Sequence, residues 1–345
     1  MTKIGIIGAG NISDTHALAA REIDGIEITA VYGHNRDKAA RLAGLYGGAV
    51  YEDIETFLEH KPMDMVMIGS PSGLHAEQGI AAARRGLHVL VEKPIDTTIA
   101  RTDLLIAECD RAGVKLGVFF QDRAAPDIAR LKQLVDAGRL GKPILVSGRV
   151  KWYRPPEYYR DSRWRGVFAL DGGGALMNQG VHTVDLLLWL MGDVTRVNAK
   201  AITALHDIEV EDTVVATMEF ASGAIGTLEA TTSVYPGYPR RIELTGSEGT
   251  IIVEDSQIVA ADLRNPGEDL ASIQRGARNE AEIARSTSPV VSDVSGHKKV
   301  LADFLKAIET GGKPMCDGYE GRRSVELVLA IYESSQTGEP VMVKK

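Results

Sequence analysis

Through the first 120 residues, short apolar runs alternate with longer stretches whose apolar positions recur at helical spacing. KIGII, MDMVMIG, HVLVEKP and VKLGVFF read as strands, and IEITAVY as another between the first two. THALAARE, GLHAEQGIAAARRG and IARTDLLIAECDRAG separate them as helices. Strands alternating with helices at this spacing predict a doubly wound parallel sheet, an α/β domain. Beyond residue 190 the pattern changes. VNAKAITALH, EDTVVATMEF, GAIGTLEATTS, RIELTGSEG and TIIVEDSQIV are β-rich runs, several of them parted by turn residues such as Ser222-Gly223 and Ser247-Glu248-Gly249. They predict meandering hairpins in a second, α+β domain. A chain of 345 residues exceeds what one core normally serves. The expected division is 1–122 and 123–345. The stretch 265–296 reads as polar loop, and no internal repeat is visible.

One helix breaks its own apolar pattern. DGGGALMNQGVHTVDLLLWLMG, residues 171–192, is packed with leucine and valine, yet carries Asn178, His182 and Asp185. In a regular helix these positions, i, i+4 and i+7, share one face and form a single polar seam. Two readings are open from this stretch alone: a core histidine paired with Asp185, or a working histidine in a cleft.

The turn after the first strand, GAGNIS, carries Gly8 and Gly10, with Asn11 and Ile12 beside them in the expected cofactor site. In a dinucleotide fold the first glycine makes the tight turn, and the second lets backbone approach the pyrophosphate at the helix N-terminus. Ser13 stands where a third glycine is usual. After the second strand the acidic residue that clamps an adenosine ribose is missing, and Gly33, His34, Asn35 and Arg36 stand there instead. NAD and NADP are both open: Arg36 or His34 could attract a 2′-phosphate, and Asn35 could bind the ribose hydroxyls of NAD.

Ligands of such folds bind beyond the carboxyl ends of the strands. Two strands end there in polar groups: Ser70, Pro71, Ser72 and His75 after one, Glu92 and Lys93 after the other. Pro94 keeps Lys93 out of helical geometry. A lysine at that tip, partly withdrawn from water, can exchange protons near neutrality.

Composition excludes several classes. A net charge of −8 leaves no basic stripe for a nucleic-acid backbone. No apolar run is long enough to span a membrane, and the N-terminus reads as strand and turn rather than signal peptide. A cytoplasmic protein is the expectation. Cys109 and Cys316 lack metal-ligand spacing and read as reduced packing residues, and no metal site is expected.

The glycine turn, EKP and GGGALMNQGVHTVD, in this order, resemble the Gfo/Idh/MocA family of NAD(P)-dependent oxidoreductases acting on sugars, polyols and their derivatives. GKPILVSGRVKW, SRWRGVFALDGGG and DGYEGRRSVELVLAIYESS extend the resemblance over nearly the whole chain. It implies a Rossmann domain followed by a domain with a large, open, mostly antiparallel sheet. It also places the catalytic lysine at Lys93, the histidine at His182, and the cofactor near Ser70, Pro71, His75, Glu92 and Gln121. Many relatives acting on cyclic polyols carry aspartate where this chain has Asn178, an amide that can orient a hydroxyl but not take its proton. KWYRPPEYYRDSRWRG adds Lys151, Tyr153, Arg154, Trp164 and Arg165, aromatic faces beside donors that suit a pyranose; Arg165 is placed at cofactor and substrate alike.

The expected activity is hydride transfer between nicotinamide and a secondary hydroxyl of a sugar or polyol. His182 and Lys93 share the proton work, and Asp185 steadies the histidine from behind. Two rivals are a redox-assisted eliminase or glycosidase that retains its NAD, and a sensor that binds nucleotide and sugar without chemistry. An open sheet leaves a face to cover, so a homodimer or homotetramer through that sheet is expected.

Overall fold

The protein is described from a computed structural model covering residues 1–265 and 294–344. The chain divides into two compact units, residues 1–121 with 290–322, and residues 122–289 with 323–345. The sequence division at 122/123 placed residues 294–322 in the second domain, whereas they cluster with the first unit.

In the first unit β1 (Thr2–Ile7), β2 (Ile26–Tyr32), β3 (Ala49–Tyr51), β4 (Met65–Ile68), β5 (His88–Glu92) and β6 (Leu116–Phe119) form a parallel sheet in the order β3-β2-β1-β4-β5-β6. Apart from the edge strand β3, its strands are buried along most of their length, all four residues in β4 and in β6, as a sheet covered on both faces requires. Helices α1 (Asn11–Arg21), α2 (Arg36–Tyr46), α3 (Ile54–Leu58), α4 (His75–Ala83) and α5 (Ile99–Ala112) lie along the connections. The strand order reverses between β1 and β4, the switch point at which such sheets take their ligands.

The second unit runs through α6 (Pro126–Asp136), β7 (Pro143–Lys151), α7 (Glu157–Arg160), α8 (Phe168–Asp171), a π-helical turn at Ala175–Gly180 and α9 (Val181–Met191). Then come β8 (Val194–Ile202), β9 (Thr213–Phe220), β10 (Ile225–Thr231), β11 (Arg241–Gly246), β12 (Gly249–Glu254) and β13 (Gln257–Leu263). With β14 (Val341–Met342) they form a sheet ordered β13-β12-β11-β7-β10-β9-β8-β14, parallel at β7/β10 and antiparallel at the other pairs. Burial alternates along β9: Val214, Ala216, Met218 and Phe220 face inward, Val215, Thr217 and Glu219 outward. On the inner face α9 lies so close to β7 that a Cβ on Gly148 would sit 2.8 Å from the Thr183 methyl.

The last helices are α10 (Ser295–Thr310), packed on α1 within the first unit, and α11 (Gly318–Thr337). Most of the loop expected at 265–296 lies outside the described residues; the helix α10 already covers Ser295 and Gly296. No described helix is long and apolar enough to cross a membrane.

Candidate active site

In the first unit the glycine turn is built as its residues demand. Gly8 has φ +106°, and a Cβ there would meet the Gly69 carbonyl oxygen at 2.8 Å. Gly10 caps α1 without a side chain, and the space its Cβ would fill is open. Ser13 is buried against the end of β4, its Oγ 3.2 Å from where a Gly69 Cβ would stand, the tight contact that asks for a small residue. Asn11 and Ile12 open the helix. This cradle of bare backbone at a helix N-terminus fits the pyrophosphate of a dinucleotide.

At the end of β2, Gly33 packs on the same turn: a Cβ there would lie 3.0 Å from the Ala9 methyl. His34 contacts the Tyr32 hydroxyl, Nε2 at 3.2 Å. Asn35 caps α2, its Oδ1 accepting from the Lys38 N–H at 3.0 Å, so its oxygen is committed to the helix. Arg36 begins α2 with its side chain 75% exposed, 3.5 Å from Glu52.

Beyond β4 and β5 the predicted polar groups interlock. The Ser70 hydroxyl donates to Gln78 Oε1 at 2.6 Å, and Pro71 and Ser72 lead into a 3₁₀ turn before α4. The buried His75 ring lies between two carbonyls, Nε2 2.9 Å from Ser70 O and Nδ1 2.8 Å from Pro94 O, tying the two strand ends together. Burial lowers its pKa. Glu92, the last residue of β5, is buried; its Oε2 accepts the Lys93 backbone N–H at 3.1 Å, and its Oε1 accepts from His16 Nε2 at 2.9 Å. His297, from α10, adds its Nε2 at 3.5 Å. Burial opposes the charge on Glu92, but the two histidines hold its carboxyl well below the usual range; burial in turn lowers the pKa of His16, which donates as a neutral ring. Glu92 is therefore a positioning residue for the Lys93 backbone. His16 and His297 were not legible in the sequence, because neither belongs to a motif and His297 arrives from the far end of the chain. Gln121 packs its Cβ near Gly296, and its Oε1 is buried without a described partner.

In the second unit the seam expected along the helix is divided. The π turn ends at Gly180 and the α-helix begins at Val181, so residues 178 and 182 straddle a change of pitch and no longer stack as in one regular helix. The Asn178 amide donates to Asp171 Oδ1 at 2.6 Å. His182 Nδ1 lies 3.7 Å from Asp122 Oδ2. Asp185 is bidentate to Arg123, at 2.8 Å from Nε and 2.6 Å from Nη2, both side chains almost fully buried. The Asp185 expected behind the histidine gives both oxygens to Arg123, and Asp122 also lies near His182 on its Nδ1 side.

The π turn is anchored by a residue the sequence did not single out. Glu211 takes the Gly174 N–H on Oε2 and the Leu176 N–H on Oε1, each at 2.8 Å, and the Tyr332 hydroxyl on Oε1 at 2.8 Å. Its backbone comes so close that a Cβ on Gly174 would sit 1.7 Å from its carbonyl oxygen, so residue 174 must be glycine. Burial outweighs these hydrogen bonds and pushes the Glu211 carboxyl up to about 7.

Beside the π turn, Arg154 is buried and donates to Gln179 Oε1 at 3.3 Å, and the Gln179 amide donates to the Tyr158 hydroxyl at 2.9 Å. Arg165 stacks on Tyr158 and Trp164. Arg154, Trp164 and Arg165 are thus brought together, with Trp152, Tyr158 and Gln179 as members missed by sequence. Tyr153 packs edge-on against Tyr235, and Lys151 turns to the outward row of the sheet, 2.8 Å from Glu229, away from the role expected of it.

Residues 2–120 match the oxidoreductase family with an NAD-binding Rossmann fold, and residues 128–252 match the GFO/IDH/MocA C-terminal domain. The chain belongs to the Gfo/Idh/MocA family and is an NAD(P)-dependent oxidoreductase. It is 26% identical to the myo-inositol 2-dehydrogenase of Thermotoga maritima over 99% of both chains. It is 28% identical to the D-xylose 1-dehydrogenase (NADP(+)) 2 of Haloferax volcanii over 98% of both. The WlbA dehydrogenase of Bordetella pertussis, solved with NADH and UDP-GlcNAcA, superposes with a TM-score of 0.89 at 31% identity, covering 100% of this chain and 98% of that one. The named relatives are dehydrogenases and reductases of sugars and polyols, and the activity class is that of a sugar oxidoreductase.

Proposed function

We propose that the protein oxidises a secondary hydroxyl of a sugar or sugar derivative, or reduces the matching ketone. The observation that carries this reading is Lys93, fixed through its backbone by the buried Glu92 at the tip of β5, on the edge where this fold binds ligands. NAD(P), when bound, supplies the hydride acceptor or donor. Lys93 holds the substrate oxygen and stabilises charge developing on it. His182 takes the hydroxyl proton. Asn178 orients a hydroxyl, while Tyr153, Arg154, Trp164 and Arg165 hold the sugar.

The absence of a carboxylate at residues 33–36 supports use of NADP as well as NAD, since Arg36, exposed and only loosely paired with Glu52 at 3.5 Å, is placed to meet a 2′-phosphate. Outward-facing Leu145, Val215 and Ile225 support a homodimer or homotetramer through the second sheet. Burial pushes the Cys109 thiol up to about 12, keeping it an inert packing group, as suits a cytoplasmic protein.

The test is a screen of polyols, free sugars and nucleotide-linked sugars with each cofactor, followed by nicotinamide absorbance. Substrate-dependent reduction of either cofactor is expected. Cofactor retained through purification, with sugar consumed and no net absorbance change, would instead establish transient oxidation. Binding of cofactor and sugar with no reaction would overturn the enzymatic reading.

A further inference from the structure

Three side chains of the first unit converge from distant parts of the chain: His16 from α1, Glu92 from the end of β5 and His297 from the first turn of α10. Each offers one ligand atom, and the three atoms lie within 4.8 Å of one another. His16 Nε2 is 2.9 Å from Glu92 Oε1, and His297 Nε2 is 3.5 Å from the same oxygen. The two imidazoles are closed off from solvent, at 0% and 1% side-chain exposure. Of the three, His297 is the one that packing leaves unexplained. Neither of its ring nitrogens has a hydrogen-bond partner among the described residues, and 3.5 Å is long for a hydrogen bond to Glu92. A ring buried in this way has given up its water without replacement, unless a ligand stands between it and the carboxylate.

We propose that His16 Nε2, Glu92 Oε1 and His297 Nε2 bind one divalent first-row transition ion, zinc best of all, as a structural clip on the first unit. Two imidazoles and a carboxylate are the donor set of zinc and non-haem iron centres, whereas magnesium and calcium select oxygen ligands. An ion about 2.1 Å from each ligand sets neighbouring ligand atoms about 3.0–3.4 Å apart in tetrahedral or octahedral geometry. The observed 2.9 and 3.5 Å bracket that range, so binding asks for small shifts of the rings and none of the backbone. The outer contacts suit the same role. Glu92 Oε2 accepts the Lys93 N–H, the kind of second hydrogen bond that orients a ligating carboxylate. Phe119 stacks on His16 at 4.4 Å between centroids and lies 5.4 Å from His297, an apolar wall beside both rings. Bound there, the ion ties α1 and α10 to the tip of β5 and firms the backbone that presents Lys93. The proposal stands apart from the sugar chemistry, since it concerns how the unit is held together.

The full chain, treated with a chelator and dialysed, is titrated with zinc and, separately, with magnesium by calorimetry. The expected result is one zinc per chain at micromolar affinity or tighter, at least about 100-fold above magnesium, with a higher melting temperature in the zinc-loaded protein. His297→Gln should weaken zinc binding by about 100-fold or more and abolish the rise in melting temperature. Hydrogen exchange on the wild type locates the ion without any variant, so the test survives a His297→Gln protein that fails to fold. Zinc should slow exchange in the first turns of α10 and at the end of β5. No zinc binding in the micromolar range, magnesium bound as tightly as zinc, affinity untouched by His297→Gln in a folded protein, or protection confined to other segments would each overturn the proposal and leave the three side chains as packing alone.

Discussion

Glu92 and Glu211 are two buried glutamates that do the same mechanical work in different units. Each accepts backbone N–H and so fixes the segment that carries a candidate proton carrier: one oxygen of Glu92 takes the Lys93 N–H, and both oxygens of Glu211 hold the π turn leading to His182. Their electrostatics are opposite. Glu92 has two histidines at its carboxylate and stays charged far into acid, whereas Glu211 has neutral donors in an apolar setting and titrates near 7. Burial alone does not set a carboxylate's charge; the chemistry of its donors does.

The largest expected effect tests whether the Glu92 anchor serves chemistry. Lys93→Ala should lower turnover by about 10²–10⁴-fold, the range of an acid-base group, while cofactor affinity stays within about tenfold. Steady-state kinetics with a cofactor titration check it; a loss of activity matched by a loss of thermal stability would make the lysine structural.

Next comes the pH dependence of Glu211. Its folded pKa of about 7 exceeds the ordinary 4.5, so its stabilising contribution is complete below 4.5 and is lost as pH rises through 7. At about 1.4 kcal/mol per unit the loss is roughly 3 kcal/mol. Chemical denaturation of wild type and Glu211→Gln across pH 4.5 to 8 should show this slope in the first and not the second, and parallel curves would refute it.

The smallest effect is the mirror image. Glu92 has a depressed pKa, so its contribution is present above the ordinary 4.5 and fades as pH falls below it. Glu92→Gln, which keeps the shape but loses charge-assisted hydrogen bonds, should cost about 2 kcal/mol at neutral pH and progressively less in acid. A cost that does not change with pH would remove the contrast between the two glutamates.

What the sequence made legible was local. Gly8, Gly10 and the apolar strands of the first sheet announce themselves because a turn, a cap and a two-sided burial are decided by neighbouring residues. EKP likewise marks the tip of β5, because Pro94 keeps Lys93 out of helical geometry. Partners brought from a distance were not legible. The π turn is held by Glu211, which reaches residues 174 and 176 from the loop before β9, and periodicity reads such a segment as ordinary helix. Asp185 beside His182 in the sequence suggested a pair, but Arg123, from the start of the unit, claims the carboxylate with two hydrogen bonds.

The return of α10 to the first unit has a consequence for synthesis. His297 reaches Glu92, and α10 lies on α1, only after some 290 residues have been made. A nascent chain that has emitted residues 1–121 holds all six strands of its sheet, yet Glu92, His16 and Phe119 lack the cover and the second histidine that the finished fold gives them. The first unit begun on the ribosome is therefore among the last parts completed, and the backbone that presents Lys93 takes its final form only as the end of the chain arrives.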